Sequence, residues 1–120
     1  MNHRSELGKF GEDFACNYLL QQGYTIQYRN FRCRIGEIDI IAVKNNVLSF
    51  IEVKTRCSHK YGRPLLAVNL AKQKKIYRCA ELYMQVKGII RNMPVLSFDV
   101  FEIIIDGTAV KEFHHYPHCF

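Results

Sequence analysis

Two runs near the middle of the chain combine Ile and Val with a few charged residues. They extend from Glu37 to Val43 and from Val47 to Lys54, and the three residues 44–46 separate them. Runs of this composition favour β-strands, and Asn tolerates the positive φ angles that a two-residue hairpin turn requires. The pattern therefore predicts an antiparallel hairpin with Asn45 and Asn46 as its central turn residues.

The predicted turn also determines which residues face each other across the hairpin. Asp39 would face Glu52, and Glu37 would face Lys54. Because side chains alternate along a strand, these four charged residues share one face of the sheet. That face would also carry Ile41, Val43, Leu48 and Phe50, and the opposite face would carry Ile38, Ile40, Ala42, Val47, Ile51 and Val53. Both faces are largely apolar, which predicts a central hairpin covered on each side by further chain.

Apolar residues recur at helical spacing in two other segments. The first extends from Arg4 to Gln22 and is followed by Gly23, and its predicted core face is Leu7, Phe10, Gly11, Phe14, Ala15, Tyr18 and Leu19. The second begins after the N-cap candidate Asn69 and extends to about Lys87, where Gly88 closes it. Its predicted core face is Ile76, Cys79, Ala80, Tyr83 and Met84.

The last third of the chain has the pattern of a second hairpin. Residues Val95 to Ile105 are typical of a strand, residues 106–107 (Asp-Gly) of a turn, and residues Ala109 to Phe113 of the partner strand. With the central hairpin and the helices, these elements predict an α/β fold with a mixed sheet. No Pro-, Gly- or Ser-rich linker divides the 120 residues, which predicts one domain with His114 to Phe120 as a candidate disordered tail.

The acidic residues of the central hairpin need a physical reason, because burying an unpaired carboxylate is costly. Directly opposed residues have side-chain carbons about 5 Å apart, so Asp39 and Glu52 would repel unless a cation lay between them. Mg²⁺ is commonly held by one or two carboxylates together with a substrate phosphate. Lys54 could then stabilise charge on that phosphate. The alternative is that these residues form ordinary ion pairs at a wet edge of the sheet.

Three short motifs together resemble the YraN-like family of small bacterial proteins. They are Gly11-Glu12, the stretch from Arg29-Asn30-Phe31-Arg32 to Gly36-Glu37-Ile38-Asp39, and Phe50-Ile51-Glu52-Val53-Lys54-Thr55-Arg56. That family is related to archaeal Holliday-junction resolvases. The resemblance covers residues 8 to about 99 and implies a restriction-endonuclease-like fold, a mixed central β-sheet flanked by helices, of the PD-(D/E)xK nuclease superfamily.

The resemblance also implies roles for individual residues. Asp39 and Glu52 match the metal-binding carboxylates, Lys54 matches the motif lysine, and Glu12 matches the N-terminal helix acid of the resolvase branch, which adds it to the metal and catalytic set. Without that company, Glu12 is an ordinary solvated helix residue. Ile38 precedes Asp39, so the Pro-Asp pair that gives the superfamily its name is absent.

A weaker similarity lies in the second predicted helix. Gln73 and Tyr77 are four residues apart and resemble the Gln-x3-Tyr motif that RecB-type nucleases place beside their active sites. This makes Gln73 a catalytic candidate and Tyr77 a nucleic-acid-binding candidate. The alternative is a common polar pair at helical spacing.

The charge distribution points to a polyanionic partner. The chain has 17 Lys and Arg residues, 11 Asp and Glu residues and a pI near 9.2, and a basic balance of this kind favours nucleic acid. The segment between Glu52 and Glu81 contains no acid, and its loop from Arg56 to Val68 is a candidate DNA contact. The predicted nucleic-acid-binding residues are Arg29, Arg32, Arg34, Arg56, Lys60, Arg63, Lys72, Lys74, Lys75 and Tyr77.

Cysteine usage and hydropathy indicate a cytoplasmic protein. The five Cys residues are an odd number without a Cys-x2-Cys pair, which favours reduced thiols. The His-rich tail is a weak candidate for Zn²⁺. No apolar run is long enough for a bilayer, and the charged first dozen residues do not resemble a signal peptide.

These patterns favour a metal-dependent DNA endonuclease that uses Mg²⁺ or Mn²⁺. No base-reading module is recognisable, so we expect recognition of DNA structure, including branched DNA, more than of sequence. The similarity to junction resolvases also raises the question of a homodimer, since two linked cuts need two sites. The alternatives are a non-catalytic nucleic-acid-binding protein that retains the nuclease fold and, with less support, a protein whose basic face meets an acidic partner.

Overall fold

The computed structural model describes residues 6–57, 68–89 and 93–120. In these residues the chain forms two helices and five strands: α1 (Glu6–Gln21), β1 (Thr25–Arg32), β2 (Glu37–Lys44), β3 (Val47–Arg56), α2 (Leu70–Val86), β4 (Val95–Asp106) and β5 (Ala109–Tyr116). The described strands make a mixed sheet in the order β1-β2-β3-β4-β5, with β3 and β4 parallel and the other neighbours antiparallel. The predicted α/β class is confirmed, and the architecture is consistent with a restriction-endonuclease-like fold.

The central hairpin has the predicted turn. Asn45 and Asn46 have φ angles of 50° and 61°, the left-handed values that a type I′ turn needs at both central positions. Lys44 pairs with Val47, as predicted, and the register continues without a shift to the pair Ile40 and Ile51. The Asn46 carbonyl also accepts a hydrogen bond of 3.1 Å from the Val95 amide at the start of β4. The turn end of the hairpin is therefore tied to its parallel neighbour.

The predicted ladder pairs beyond Ile40 and Ile51 were wrong. Asp39 does not pair with Glu52, and Glu37 does not pair with Lys54, because the β2–β3 ladder ends at Ile40 and Ile51. The Val53 amide donates a 2.8 Å hydrogen bond to Asp39 Oδ2. A side-chain carboxylate thus takes the place of a backbone acceptor, and the two strands separate at this end of the hairpin.

Each face of the sheet carries one of the helices, as the two apolar faces of the hairpin predicted. The α2 side is filled by Ile38, Ile41, Leu48, Phe50, Ile76, Cys79, Ala80, Tyr83, Met84 and Val100, and the α1 side by Ala15, Cys16, Leu19, Ile40, Ala42, Ile51, Phe101 and Ile103. The placement of Ile38 with Ile40 was wrong. Beyond Ile40, β2 has no β3 partner, and the adjacent Asn30 of β1 has a φ angle of 55°, so the regular alternation of faces is lost there.

Helix α1 ends and helix α2 begins where their sequence signals predicted. After α1, Gly23 has a φ angle of 93°, and hydrogen bonds from Gly23 to Leu20 and from Tyr24 to Leu19 complete a Schellman motif. Asn69 caps α2 by accepting a hydrogen bond from the Lys72 amide. The predicted start of the first helix at Arg4 lies outside the described residues.

The predicted core face of α1 was partly wrong. Leu7 and Phe10 are 39% and 40% exposed, because they lie beside Gly107 and Thr108 in the β4–β5 turn, at the rim of the sheet. The deeper positions of the helix, such as Ala15 and Leu19, are fully buried. The packed part of α1 is therefore its middle and its C-terminal half.

The C-terminal segment, the candidate disordered tail, continues the sheet as part of β5. Strand β5 continues to Tyr116, and its turn has Gly107 and Thr108 between the paired residues Asp106 and Ala109. Further on, the Cys119 amide donates a 2.7 Å hydrogen bond to the Phe98 carbonyl. Strand pairing and backbone hydrogen bonds therefore hold this segment against β4.

The contact between α1 and β3 depends on Gly11. A Cβ atom at this position would overlap Thr55 Oγ1 and lie 3.2 Å from Thr55 Cβ, so the Thr55 side chain would have to move. The absence of a side chain at Gly11 lets the helix lie directly on the strand. As a result Glu12, the next residue, is buried against the sheet with 3% exposure.

We expect Gly11→Ala to lower the free energy of unfolding by about 1–3 kcal/mol, as overpacking does, although Ala is the better helix former. Urea denaturation followed by circular dichroism would measure the change. In a Thr55→Ala background, which removes the nearest atom, the same substitution should cost less. An equal loss in both backgrounds would contradict the proposed clash between residues 11 and 55.

Candidate functional site

The separation of β2 from β3 leaves a cleft of about 440 Å³ between the β1–β2 turn and α2. Its lining residues are Ile35, Gly36, Glu37, Asp39, Glu52, Asn69, Ala71, Lys72, Lys75 and Ile76. The two carboxylates predicted to bind a metal, Asp39 and Glu52, therefore share one cleft although they are not ladder partners. The first turn of α2 borders the cleft, and a helix N-terminus favours negative charge nearby.

The carboxyl group of Asp39 is held at the base of this opening. Its Oδ2 atom accepts the 2.8 Å hydrogen bond from the Val53 amide, which fixes the orientation of the side chain. The pKa of Asp39 is raised to about 7, mainly by burial and next by the negative charge of Glu52, and the Val53 hydrogen bond opposes this rise. Asp39 and Glu52 therefore interact electrostatically, as two carboxylates in one ligand set do.

Glu52 is the more deeply buried of the two, with 2% exposure. Its Oε2 atom lies 2.9 Å from Lys72 Nζ, whereas Oε1 is buried without a hydrogen-bond partner among the described residues. Burial raises the pKa of Glu52, and the Lys72 ammonium group opposes that rise. An unpartnered oxygen on a buried acid is unusual, since native structures pair most such atoms.

Two lysines face the carboxylates. Burial, followed by the neighbouring Lys72 ammonium group, lowers the pKa of Lys54. Burial also acts to lower the pKa of Lys72, but Glu52 and Asp39 outweigh it, so that this pKa is raised. The arrangement gives one firmly charged ammonium group at Glu52 and a second amine that releases its proton more readily.

Glu12 does not complete a set of three carboxylates. Among the described residues, no three or more His, Cys, Asp or Glu side chains converge to hold a metal ion, and Glu12 does not line the cleft that Asp39 and Glu52 share. Arg29 Nη2 lies 3.5 Å from Glu12 and 2.6 Å from Asp13. Glu12 still acts on the site through its charge, which raises the pKa of Asp39.

The remaining pair fits a hard divalent cation. Mg²⁺ is commonly held by one or two carboxylates and completes its shell with water and substrate oxygens. Asp39 and Glu52 supply that number of carboxylates, and the unpartnered Oε1 of Glu52 supplies an oxygen ready to bind. The donors are all oxygen, which suits Mg²⁺ or Mn²⁺ better than softer metals.

The predicted nucleic-acid-binding residues are in different surroundings. Arg32 lies 2.8 Å from Glu37, and Arg56 is only 11% exposed and lies 3.4 Å from Glu102. In contrast Arg34, Lys74 and Lys75 are exposed on the turn and helix beside the cleft. Lys60 and Arg63, and most of the loop predicted to contact DNA, lie outside the described residues.

A second opening continues from the cleft along the same side of α2. It has a volume of about 430 Å³ and is lined by Cys33, Arg34, Ile35, Arg78 and Leu82. Ile35 borders both openings. We call the exposed residues Arg34, Lys74, Lys75 and Arg78 the basic surface. Beneath it, the thiols of Cys33 and Cys79 are 2.8 Å apart and both are free.

The residues of the Gln-x3-Tyr pair do not line the cleft. Gln73 Nε2 donates a 2.9 Å hydrogen bond to the Val68 carbonyl, which ties the start of α2 to the preceding loop. Tyr77 packs edge-on against Phe98 with ring centroids 4.7 Å apart, and it also contacts Phe120. Both side chains have structural contacts, so the alternative interpretation of a common helical pair fits their positions.

The contact that sequence reasoning missed is the one between Lys72 and Glu52. Lys72 was predicted only as a nucleic-acid-binding residue. Its position follows from Asn69, because an N-cap residue fixes the first turn of a helix and the Lys72 amide bonds to Asn69 Oδ1. The N-cap signal was recognised, but the direction of the long side chain depends on how α2 lies on the sheet.

The family model and the similar proteins identify the same protein family. The model of the uncharacterised protein family UPF0102 matches residues 11–103. A UPF0102 protein of Clostridium botulinum strain 657 is 50% identical over 101 residues, which are 84% of this chain and 81% of that protein. A UPF0102 protein of Clostridium tetani is 48% identical over 106 residues, which are 88% and 85% of the two chains. The matched region contains Glu12, Asp39, Glu52, Lys54 and Lys72.

Within the described part of the chain, neither helix has the length and apolar character that crossing a bilayer requires.

The raised pKa of Asp39 predicts a pH-dependent stability in metal-free protein. Asp39 has a pKa of about 4 when unfolded and about 7 when folded. Its protonated form therefore stabilises the fold at low pH, and this contribution is lost as the pH rises toward the folded pKa. We expect Asp39→Asn to gain at least about 1 kcal/mol relative to the wild type between pH 5 and pH 8.

Urea denaturation at these pH values in the presence of EDTA would measure the difference. Asp106→Asn, which removes an exposed carboxylate at the end of β4, is the matched control. If Asp39→Asn and Asp106→Asn have the same pH dependence, the carboxyl group of Asp39 is not perturbed in the way described.

Proposed function

The chain belongs to the uncharacterised protein family UPF0102, the YraN-like family predicted from its motifs, and we propose that it is a metal-dependent DNA endonuclease. The observation that carries this proposal is the shared cleft of Asp39 and Glu52, in which one buried Glu52 oxygen has no partner in the described structure. Two carboxylates beside two lysines are a donor set suited to phosphodiester hydrolysis.

In this proposal Asp39 and Glu52 would hold Mg²⁺ or Mn²⁺. The ion would act as a Lewis acid that withdraws negative charge from the phosphodiester. Asp39 is already oriented by the Val53 amide, so its geometry needs little rearrangement. Glu12 adds negative potential at Asp39, and Arg29 lies 3.5 Å from Glu12.

Lys54 is the proposed partner of the scissile phosphate and of the attacking water. It follows Glu52 by two residues on β3, so both side chains project from the same face of the strand. Its pKa is lowered by burial and by Lys72, which makes its proton easier to transfer. The ammonium form stabilises the charge that develops on the phosphate in the transition state.

The substrate that fits these surroundings is a nucleic-acid backbone. The basic surface borders the carboxylate cleft, so phosphates on either side of the scissile bond would meet Arg34, Lys75 or Arg78. Cationic side chains hold a polyanion through its backbone, without regard to sequence. Binding of this kind suits recognition of DNA structure more than of sequence. The proposal therefore includes branched DNA as a substrate and a dimeric enzyme.

We expect the wild type to cleave DNA in Mg²⁺ or Mn²⁺ and Glu52→Gln to lose at least about 100-fold in rate, as for the loss of a group that stabilises transition-state charge. The substitution keeps the size of the side chain and removes its charge. Gel assays on duplex, single-stranded and four-way-junction DNA would measure both proteins. Glu81→Gln, an exposed change on α2, is the control for loss of one acid.

Equal cleavage by the wild type and Glu52→Gln would remove Glu52 from the mechanism and point to a contaminating nuclease. DNA binding without cleavage by the wild type, in either metal and on all substrates, would favour the non-catalytic nucleic-acid-binding alternative. The predicted dimer is tested on the same samples by light scattering with and without junction DNA.

A separate experiment tests the basic surface. We expect Arg34→Ala/Arg78→Ala to weaken DNA binding and to reduce the slope of log affinity against log salt by about 2, since each lost phosphate contact removes about 0.9. Fluorescence anisotropy between low and physiological salt would measure this slope. The control Lys9→Ala/Lys111→Ala removes two exposed lysines from α1 and β5. An equal slope change in both double variants would show that net charge, not this surface, governs binding.

A further inference from the structure

Lys72 differs from a lysine that only faces solvent or only contacts DNA, because it forms an ion pair with a buried acid. Its Nζ atom lies 2.9 Å from Glu52 Oε2, on an acid with 2% exposure. The base of the side chain is fixed, because its backbone amide is bound to the N-cap Asn69. The side chain keeps 38% exposure, so Lys72 reaches a buried acid and still remains accessible to solvent.

This ion pair places a positive charge directly on a proposed metal ligand, Glu52. The ammonium group neutralises one oxygen of Glu52, and the other oxygen has no partner among the described residues. A divalent ion on Asp39 and Glu52 would then lie beside a positive charge in a cleft of about 440 Å³. Like charges so close together in a partly buried site repel strongly, so the lysine and the ion compete for the same carboxylate.

We propose that Lys72 is a built-in counter-cation of Glu52, which weakens metal binding in the free protein and moves to the phosphate backbone when the substrate arrives. This inference rests on the proposed nuclease function and concerns the regulation of the same site. The path for the movement is short, because Lys72 and Lys75 line the same cleft on one side of α2. Metal and nucleic acid would then bind cooperatively, since the substrate removes the competing charge.

The proposal predicts that removal of the ammonium group strengthens metal binding in the absence of DNA. We expect Lys72→Met to bind Mn²⁺ at least about tenfold more tightly than the wild type, the scale of one unit charge at close range. Lys75→Met removes a lysine from the same cleft that has no ion pair with Glu52 in the described structure, and we expect it to change affinity by less than about threefold. Electron paramagnetic resonance of free Mn²⁺ measures binding without any cleavage assay.

The coupling is tested by repeating the Mn²⁺ titration with saturating phosphorothioate duplex DNA, which resists hydrolysis. Mn²⁺ affinity should rise in the wild type and change less in Lys72→Met. Circular dichroism and thermal unfolding establish that each variant is folded, and Lys72→Gln provides a second neutral side chain if Lys72→Met does not fold.

The outcomes separate the two proposals. If the wild type cleaves DNA but Lys72→Met and Lys75→Met bind Mn²⁺ with equal affinity, the role of Lys72 is wrong and the nuclease function stands. Weaker Mn²⁺ binding by Lys72→Met would also overturn it, because the lysine would then support the ion. If no protein binds Mn²⁺ and the wild type does not cleave, both proposals fail together.

Discussion

The hydrogen bond from the Val53 amide to Asp39 is the interaction on which the site depends. A carboxylate accepts strongly from a backbone amide, and here it replaces the strand neighbour that Val53 would otherwise have. The ladder between β2 and β3 stops at Ile40 and Ile51, and the space that opens becomes the cleft. One side chain therefore both ends the strand pairing and supplies an acid to the cavity that results.

Much of the fold could be predicted because its signals are local. The Asn45-Asn46 turn, the Asn69 cap and the glycine after α1 each act within a few residues, and each was found where the sequence indicated. The register near the turn follows from the turn itself. The family motifs directed attention to Asp39, Glu52 and Lys54, and the structure brings the two acids to one cleft.

The parts that could not be predicted depend on competition between distant groups. The register rule extended the ladder to Asp39 and Glu52 because it could not weigh a side-chain acceptor against a backbone one. Glu12 turns to Arg29, which belongs to a different element. The composition of the C-terminal tail suggested disorder. In the structure its residues 114–116 pair with β4, and His115 Nε2 lies 2.7 Å from the buried Asp99. Such contacts require the positions of both partners in space.

The strands of the central hairpin are paired at the turn end and separate at the other end. At the turn end, two asparagines in the left-handed conformation and the hydrogen bond from the Val95 amide to the Asn46 carbonyl define the architecture. At the end where the strands separate, the side chains of Asp39 and Glu52 line a cavity. This separation has an evolutionary consequence. The turn that specifies the topology lies at the opposite end of the hairpin from the acids that line the cavity, so selection for new reactivity can act on residues far from that turn.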